Sequence, residues 1–253
     1  MNCFELGLQA EGYPRRVREG IDPPATIYGI GDASLLDTPT LGVIGARKAT
    51  PYGLKATRML AGWAAAAGYT IVSGAAIGCD QAAHQAALAE DGRTIAVLGC
   101  GCDVDYPAGA HRLLKTLRLE HAVISERPWG VPPARWAFRQ RNRLIAAISD
   151  SLLIVEAALP SGTFSTVDFA ANGQTDVLAV PGSVFSPTSR GCNRLIAQGA
   201  TVVTDVSDLA AALGHLRVQT DLSQPELSNE ASARILAALL ADPMRPDDVG
   251  YEL

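Results

Sequence analysis

Apolar residues in this chain gather in short unbroken runs: LGVIG (41–45), TIVSG (70–74), TIAVLG (94–99), AVISE (122–126), SLLIVEA (151–157), DVLAVPG (176–182) and TVVTD (201–205). Strands that bury one face alternate apolar with polar residues, whereas strands covered on both faces read as continuous apolar segments. Between the runs lie PYGLKATRMLAGWAAAAG, CDQAAHQAALAEDG and RLIAQG, each helix-like and followed by a glycine suited to a C′ position. Strands alternating with helices predict an α/β fold, a doubly wound, mostly parallel sheet with helices on both faces.

The periodic pattern occupies residues 41–214. Residues 1–40, with their YP and DPP turns, read as an N-terminal lead-in. Residues 215–253 read as a polar linker, QTDLSQPELS, followed by one amphipathic helix, NEASARILAALLAD, and a broken end. That tail is too short for a core of its own and resembles an incomplete module.

Composition narrows the function classes. The 253 residues carry 26 acidic and 21 basic side chains, a net charge of -5. The distribution is uneven. Ala108–Ile145 holds eight basic residues against Glu120 and Glu126, a window of +6, while the segment from Asp205 onward holds nine acidic residues and three basic ones. A polyanion responds to the local field within about 10 Å, so the basic window outweighs the total. Cys3, Cys79, Cys100, Cys102 and Cys192 are scattered, without a C-x-x-C pair, and suggest neither a disulfide scaffold nor a metal site. No apolar run reaches the roughly 18 residues of a membrane span, and Met1 opens no signal-like segment. The expected location is the cytoplasm.

In doubly wound sheets, ligands sit beyond the carboxyl ends of the strands. After the first run comes GARKATPYG, in which Gly45 allows a tight exit, Thr50 suits an N-cap and Pro51 suits the first helical position. Arg47 and Lys48 then face a helix N-terminus, which favours an anion; pairing with a surface carboxylate is the alternative. In SGAAIGCDQAAH, Ser73, Gly74 and Gly78 permit close backbone approach, and Asp80 with His84 reads as a capping and hydrogen-bonding pair with no nucleophile beside it. Ser161, Gly162 and Thr163 open a helix after a buried strand, where amides can form a phosphate nest or serve tight packing. Asp103 and Asp105 precede Tyr-Pro and read as a turn, while Glu126 and Glu156 end strands where a buried acid can pair an arginine.

The stretch FRQRNR (138–143) sets Arg139, Arg141 and Arg143 on alternate positions at or just before a helix start that follows Pro132 and Pro133. Cations there oppose the helix dipole by some tenths of a kcal/mol, so the arrangement calls for an external anion or buried acids. Phe138 and Trp136 add flat faces beside the guanidinium groups, the combination that holds single strands through phosphates on arginine and bases on rings. The competing reading makes both rings core and ties some arginines to Glu126 or Glu156.

Taken in order, GAR (45–47), Tyr52-Gly53, SGAAIGCDQAAH (73–84), LGCGCDVDYP (98–107), SERPWG (125–130), FRQRNRLIA (138–146), EAALPSGTFST (156–166), VPG (180–182) and GCNRLIAQGA (191–200) resemble the DprA (Smf) family of DNA-processing proteins over residues 13 to about 213. The resemblance implies a Rossmann-like domain that binds single-stranded DNA, protects incoming DNA in transformation and delivers it to the recombinase RecA, as a homodimer and without catalysis, metal or cofactor. By position, it implies that Arg47, Lys48, Phe138, Arg139, Arg141, Asn142 and Arg143 contact nucleic acid. The chain departs from the family at Ala46 (usually serine), Arg139 (usually proline) and Ala110 (usually asparagine). An alternative is the LOG group of nucleoside monophosphate phosphoribohydrolases, or a nucleotide sensor. LOG enzymes carry PGG-x-GT-x-x-E, for which this chain has PSGTFSTVD, with Ser161, Phe164 and Asp168 replacing Gly, Gly and the catalytic Glu.

Overall fold

A computed structural model describes residues 2–173 and 175–214. The expected linker and tail helix lie outside the described residues. Nine strands form one sheet: β1 (Cys3–Gly7), β2 (Thr26–Gly31), β3 (Thr40–Ile44), β4 (Thr70–Ser73), β5 (Thr94–Leu98), β6 (Ala122–Ser125), β7 (Ser151–Ile154), β8 (Asp176–Ala179) and β9 (Thr201–Val202). The helices are α1 (Arg15–Glu19), α2 (Pro51–Ala66), α3 (Cys79–Ala89), α4 (His111–Glu120), α5 (Arg135–Ile148), α6 (Thr163–Asn172), α7 (Arg190–Ala197) and α8 (Val206–Ala212).

The strand order is β1-β2-β6-β5-β4-β3-β7-β8-β9. From β6 to β9 all pairs are parallel; β1 with β2 and β2 with β6 are antiparallel. All seven continuous apolar runs are strands of the parallel part. Neighbouring residues on one strand enter different cores. Leu41, Val43, Ile71 and Leu153 pack with α2, α3 and α8, whereas Val72, Ile95, Val97, Leu152 and Ile154 pack with α5, α6 and α7. A third cluster joins Ala96, Leu98 and Val123 to Leu114 and Leu117 of α4. Each fully buried Leu or Ile contributes about 1.5–3 kcal/mol relative to exposure.

Residues 1–40 contribute β1 and β2 to this sheet. At that edge the Phe4 ring covers Gly29, so an aromatic side chain fills the place of the missing one.

The helix signals resolve individually. Thr50 caps α2, its hydroxyl accepting from the Gly53 amide at 3.2 Å, and Pro51 is the first helical residue. Gly68 (φ 93°) and Gly199 (φ 102°) take the left-handed position after α2 and α7. After α3 that position falls to Asp91 (φ 51°) and not to Gly92, a role that aspartate tolerates better than most residues. Helix α5 begins at Arg135, so Arg139, Arg141 and Arg143 lie within it rather than before it, and no acidic residue occupies its first turn.

Candidate functional site

The chain runs from β3 outward to β6 on one side, then crosses to β7 and continues to β9 on the other. Between the carboxyl ends of β3 and β7 the connections diverge and leave a crevice, as at the switch point of any doubly wound sheet. Loop 45–50 enters it from β3 and residues 155–162 from β7. Gly45 is obligatory here because a side chain would press on Cys79 and on the Glu156 carbonyl.

Glu156 decides the chemistry of the α2 terminus. It is 2% exposed, and its carboxylate accepts from the Thr50 amide at 2.8 Å and from the Thr50 hydroxyl at 2.9 Å. Gly53 has no room for a side chain beneath it. The anion expected at this helix end is therefore an internal carboxylate and not a ligand, and Glu156 pairs with the helix rather than with an arginine.

The three arginines of α5 separate by partner. Arg141 is 5% exposed and donates to the carbonyls of Gly74 (2.9 Å) and Val97, opposite buried Asp80. Burial pushes the Asp80 carboxyl up against the pull of Arg141. Arg143 is spent on Glu126 (2.6 Å) and Asp22 (3.0 Å), which corrects its assignment to a nucleic-acid site. Burial likewise raises Glu126, with Arg143 opposing. Arg139 remains exposed.

Arg47, Lys48, Arg135 and Arg139 are exposed and line one cleft of about 810 Å³. Among the described residues none of these four forms an ion pair. The same cleft receives Phe138, Tyr106, Asn142 and the loop Ser161, Gly162 and Thr163. The Arg47 guanidinium carbon lies 5.9 Å from the centre of the Phe138 ring. Phe138 is half-buried and stacks on Tyr106 with centroids 5.1 Å apart and planes inclined by 23°. Gly99 makes the seat for Phe138, since a side chain there would stand 2.7 Å from the ring. A smaller apolar recess of about 250 Å³, walled by Ile77, Leu98, Pro107 and Phe138, adjoins it.

The loop before α6 is partly committed to itself. Ser161 accepts from the Thr163 amide at 3.2 Å, and Asn142 donates to the Ser165 hydroxyl at 2.8 Å, fastening α5 to α6. Gly162 caps α6 without a side-chain bond.

Asp80 and His84 are not partners. Gly78 (φ 95°) is the N-cap of α3, and Asp80 instead accepts from the amides of Gly74 (3.2 Å) and Ala76 (3.3 Å), holding the loop that precedes the helix. His84 is buried against Thr94, Nδ1 to Oγ1 2.7 Å, and burial lowers its pKa to about 3, so its ring is neutral. Ser73 donates to the Val43 carbonyl at 2.6 Å, joining β4 to β3. Asp103 accepts from the Gly130 amide and Asp105 binds Arg118 at 2.6 Å, so both fix loops. Tyr106 and Arg135 were not singled out in the sequence as part of the cleft; the signals for them are the Tyr-Pro turn after β5 and the four-residue spacing from Arg135 to Arg139.

No helix among the described residues is long and apolar enough to cross a membrane.

A model of the family described as DNA recombination-mediator protein A matches residues 6–214. The DNA processing protein DprA of Streptococcus pneumoniae is 38% identical over 200 residues, covering 79% of this chain and 70% of that protein. The putative DNA processing protein DprA of Mycobacterium tuberculosis is 37% identical over 235 residues, 90% of this chain but 60% of that protein. This chain spans only about three fifths of that relative's length. Among solved structures, S. pneumoniae DprA superposes with a TM-score of 0.80 at 36% identity, covering 83% of this chain and 74% of that one. DNA processing protein A of Helicobacter pylori, whose single-stranded DNA binding mode has been described, superposes with a TM-score of 0.76 at 32% identity, covering 84% and 96%. The matched sequence, the shared sheet and the ordered motifs agree, and the chain belongs to the DNA recombination-mediator protein A (DprA/Smf) family.

Proposed function

We propose that the cleft between the ends of β3 and β7 binds single-stranded DNA, with phosphates on Arg47, Lys48, Arg135 and Arg139 and a base against Phe138. The observation that carries this reading is the gathering of four exposed cations, none in an ion pair among the described residues, around a stacked aromatic pair on an otherwise acidic chain. The one acid lining the cleft, Asp80, is buried against Arg141. Guanidinium and ammonium groups bind phosphate irrespective of sequence, and a ring accepts any base. Arg141 and Asn142 also line the cleft, where they fix α5 against the sheet and α6. Membership of a recombination-mediator family and the H. pylori relative support the reading. On the same family ground we assign the protein to the cytoplasm, as a homodimer that protects incoming DNA and passes it to RecA.

A LOG-like hydrolase is disfavoured because Asp168, standing where those enzymes have their catalytic glutamate, is exposed and does not line the cleft. Gel shifts with single- and double-stranded oligonucleotides over a salt series test the proposal. Binding should favour single strands and weaken with a log-log salt slope of about 0.7 per neutralised phosphate. Salt-independent binding, or release of free base from nucleoside monophosphates, would overturn it.

A further inference from the structure

Trp136 is left over by the site described above. It is 56% exposed, and the Arg127 guanidinium carbon lies 4.8 Å from its ring centre. It does not line the cleft, although Arg135 beside it and Arg139 three residues on both do. Two positions along a helix are turned by about 200°, so Trp136 and Phe138 project from opposite sides of α5, about 10 Å apart across it. Arg139 neighbours Trp136 on the helix surface by its i+3 spacing.

We propose that Trp136 is a second base-stacking platform, so that a single strand leaving the cleft crosses Arg139 and the first turn of α5 and lays a further base on the indole. The inference rests on the single-stranded DNA reading of the cleft. Its chemistry is that of single-strand binding in general: flat rings interleaved with cations along one path. Arg127 covers one face of the indole and restrains it, so less ordering is needed when a base meets the other face. An acidic peptide would find the same cations but would gain nothing from a flat, open indole. The absence of acidic residues from the first turn of α5 keeps the path free of repulsion.

The test uses oligo-dT of increasing length with the unaltered protein, Trp136→Ala and Trp136→Phe. Trp136→Ala should bind the shortest oligonucleotides, which fill the cleft alone, as the unaltered protein does, and that equality also shows the variant folded. It should bind longer ones about 5- to 100-fold more weakly, and Trp136→Phe should recover most of the loss. Trp63 and Trp129 are half-buried, the latter hydrogen-bonded to Glu5, so the fluorescence quenched by long oligonucleotides should come from Trp136. An abasic strand of equal length should quench little. Equal affinity of Trp136→Ala at every length, or equal quenching by the abasic strand, overturns this proposal and leaves the cleft reading intact. Failure of the unaltered protein to bind any single strand removes both.

Discussion

The carboxylate of Glu156, at the end of β7, is bonded to both the amide and the hydroxyl of Thr50, at the start of α2, across 106 residues of chain. One internal acid thereby satisfies a helix terminus that would otherwise draw an anion. Glu156→Ala leaves those two part-buried donors without their acceptor and should cost about 1–3 kcal/mol, measured as a lower urea midpoint at unchanged m-value. Because the variant removes the internal anion from the terminus, inorganic phosphate should raise its melting temperature more than that of the unaltered protein.

The arginines of the basic window should divide into two classes. Arg47→Ala and Arg139→Ala should weaken binding to every single-stranded sequence alike and each lower the salt slope by about 0.7, with little change in stability. Arg143→Ala should do the reverse, destabilising by about 3–5 kcal/mol because Glu126 and Asp22 lose their cation, while the salt slope stays where it was. Salt titrations and denaturation of the same three variants check both halves.

These classes show what the sequence could and could not disclose. The parallel strands were legible because burial on both faces erases polar positions, as in LGVIG and SLLIV. Strands β1 and β2 were hidden because CFELG is half-exposed and TIYGIG carries Gly29 and Gly31 among turn residues. The strand-end rule pointed to Arg47, and only the family resemblance put it in one site with the α5 cluster. Which arginine stays free followed from neither, because it depends on Asp22, Asp80 and Glu126, acids that only the fold brings near. Glu156 filling the α2 terminus was invisible for the same reason.

Stability should depend on His84 at mildly acidic pH. The folded pKa is lowered to about 3 by burial, against about 6.5 when unfolded. Above 6.5 both states are neutral and the contribution is complete; as pH falls below 6.5 only the unfolded chain takes up the proton, and stability is lost at up to about 1.4 kcal/mol per unit towards pH 3. Exposed carboxylates change little between about pH 6.5 and 5.5, but His121, whose pKa burial also lowers, adds to the slope, and the raised Asp80 and Glu126 oppose it. The share owed to His84 is therefore read as the difference between the unaltered protein and a His84 variant. His84→Gln should flatten the slope in urea titrations at the two pH values, at the cost of a lower midpoint at pH 7.

Gly74 and Arg141 provide the sharpest test of how the cleft is held. A methyl group on Gly74 would stand 2.5 Å from Arg141 Nη1 and 2.7 Å from Cζ. The guanidinium cannot retreat, since it is bonded to the carbonyls of Gly74 and Val97 and faces Asp80, which is buried and would be left without a cation. Gly74→Ala should therefore destabilise by about 1–3 kcal/mol through overpacking, with the salt slope for single strands unchanged. Were the unfolding free energy to stay the same, Arg141 would have swung outward. Arg141, which already lines the cleft but is buried, would then be open to a strand, and the salt dependence would steepen by about 0.7, so the two measurements together locate the side chain.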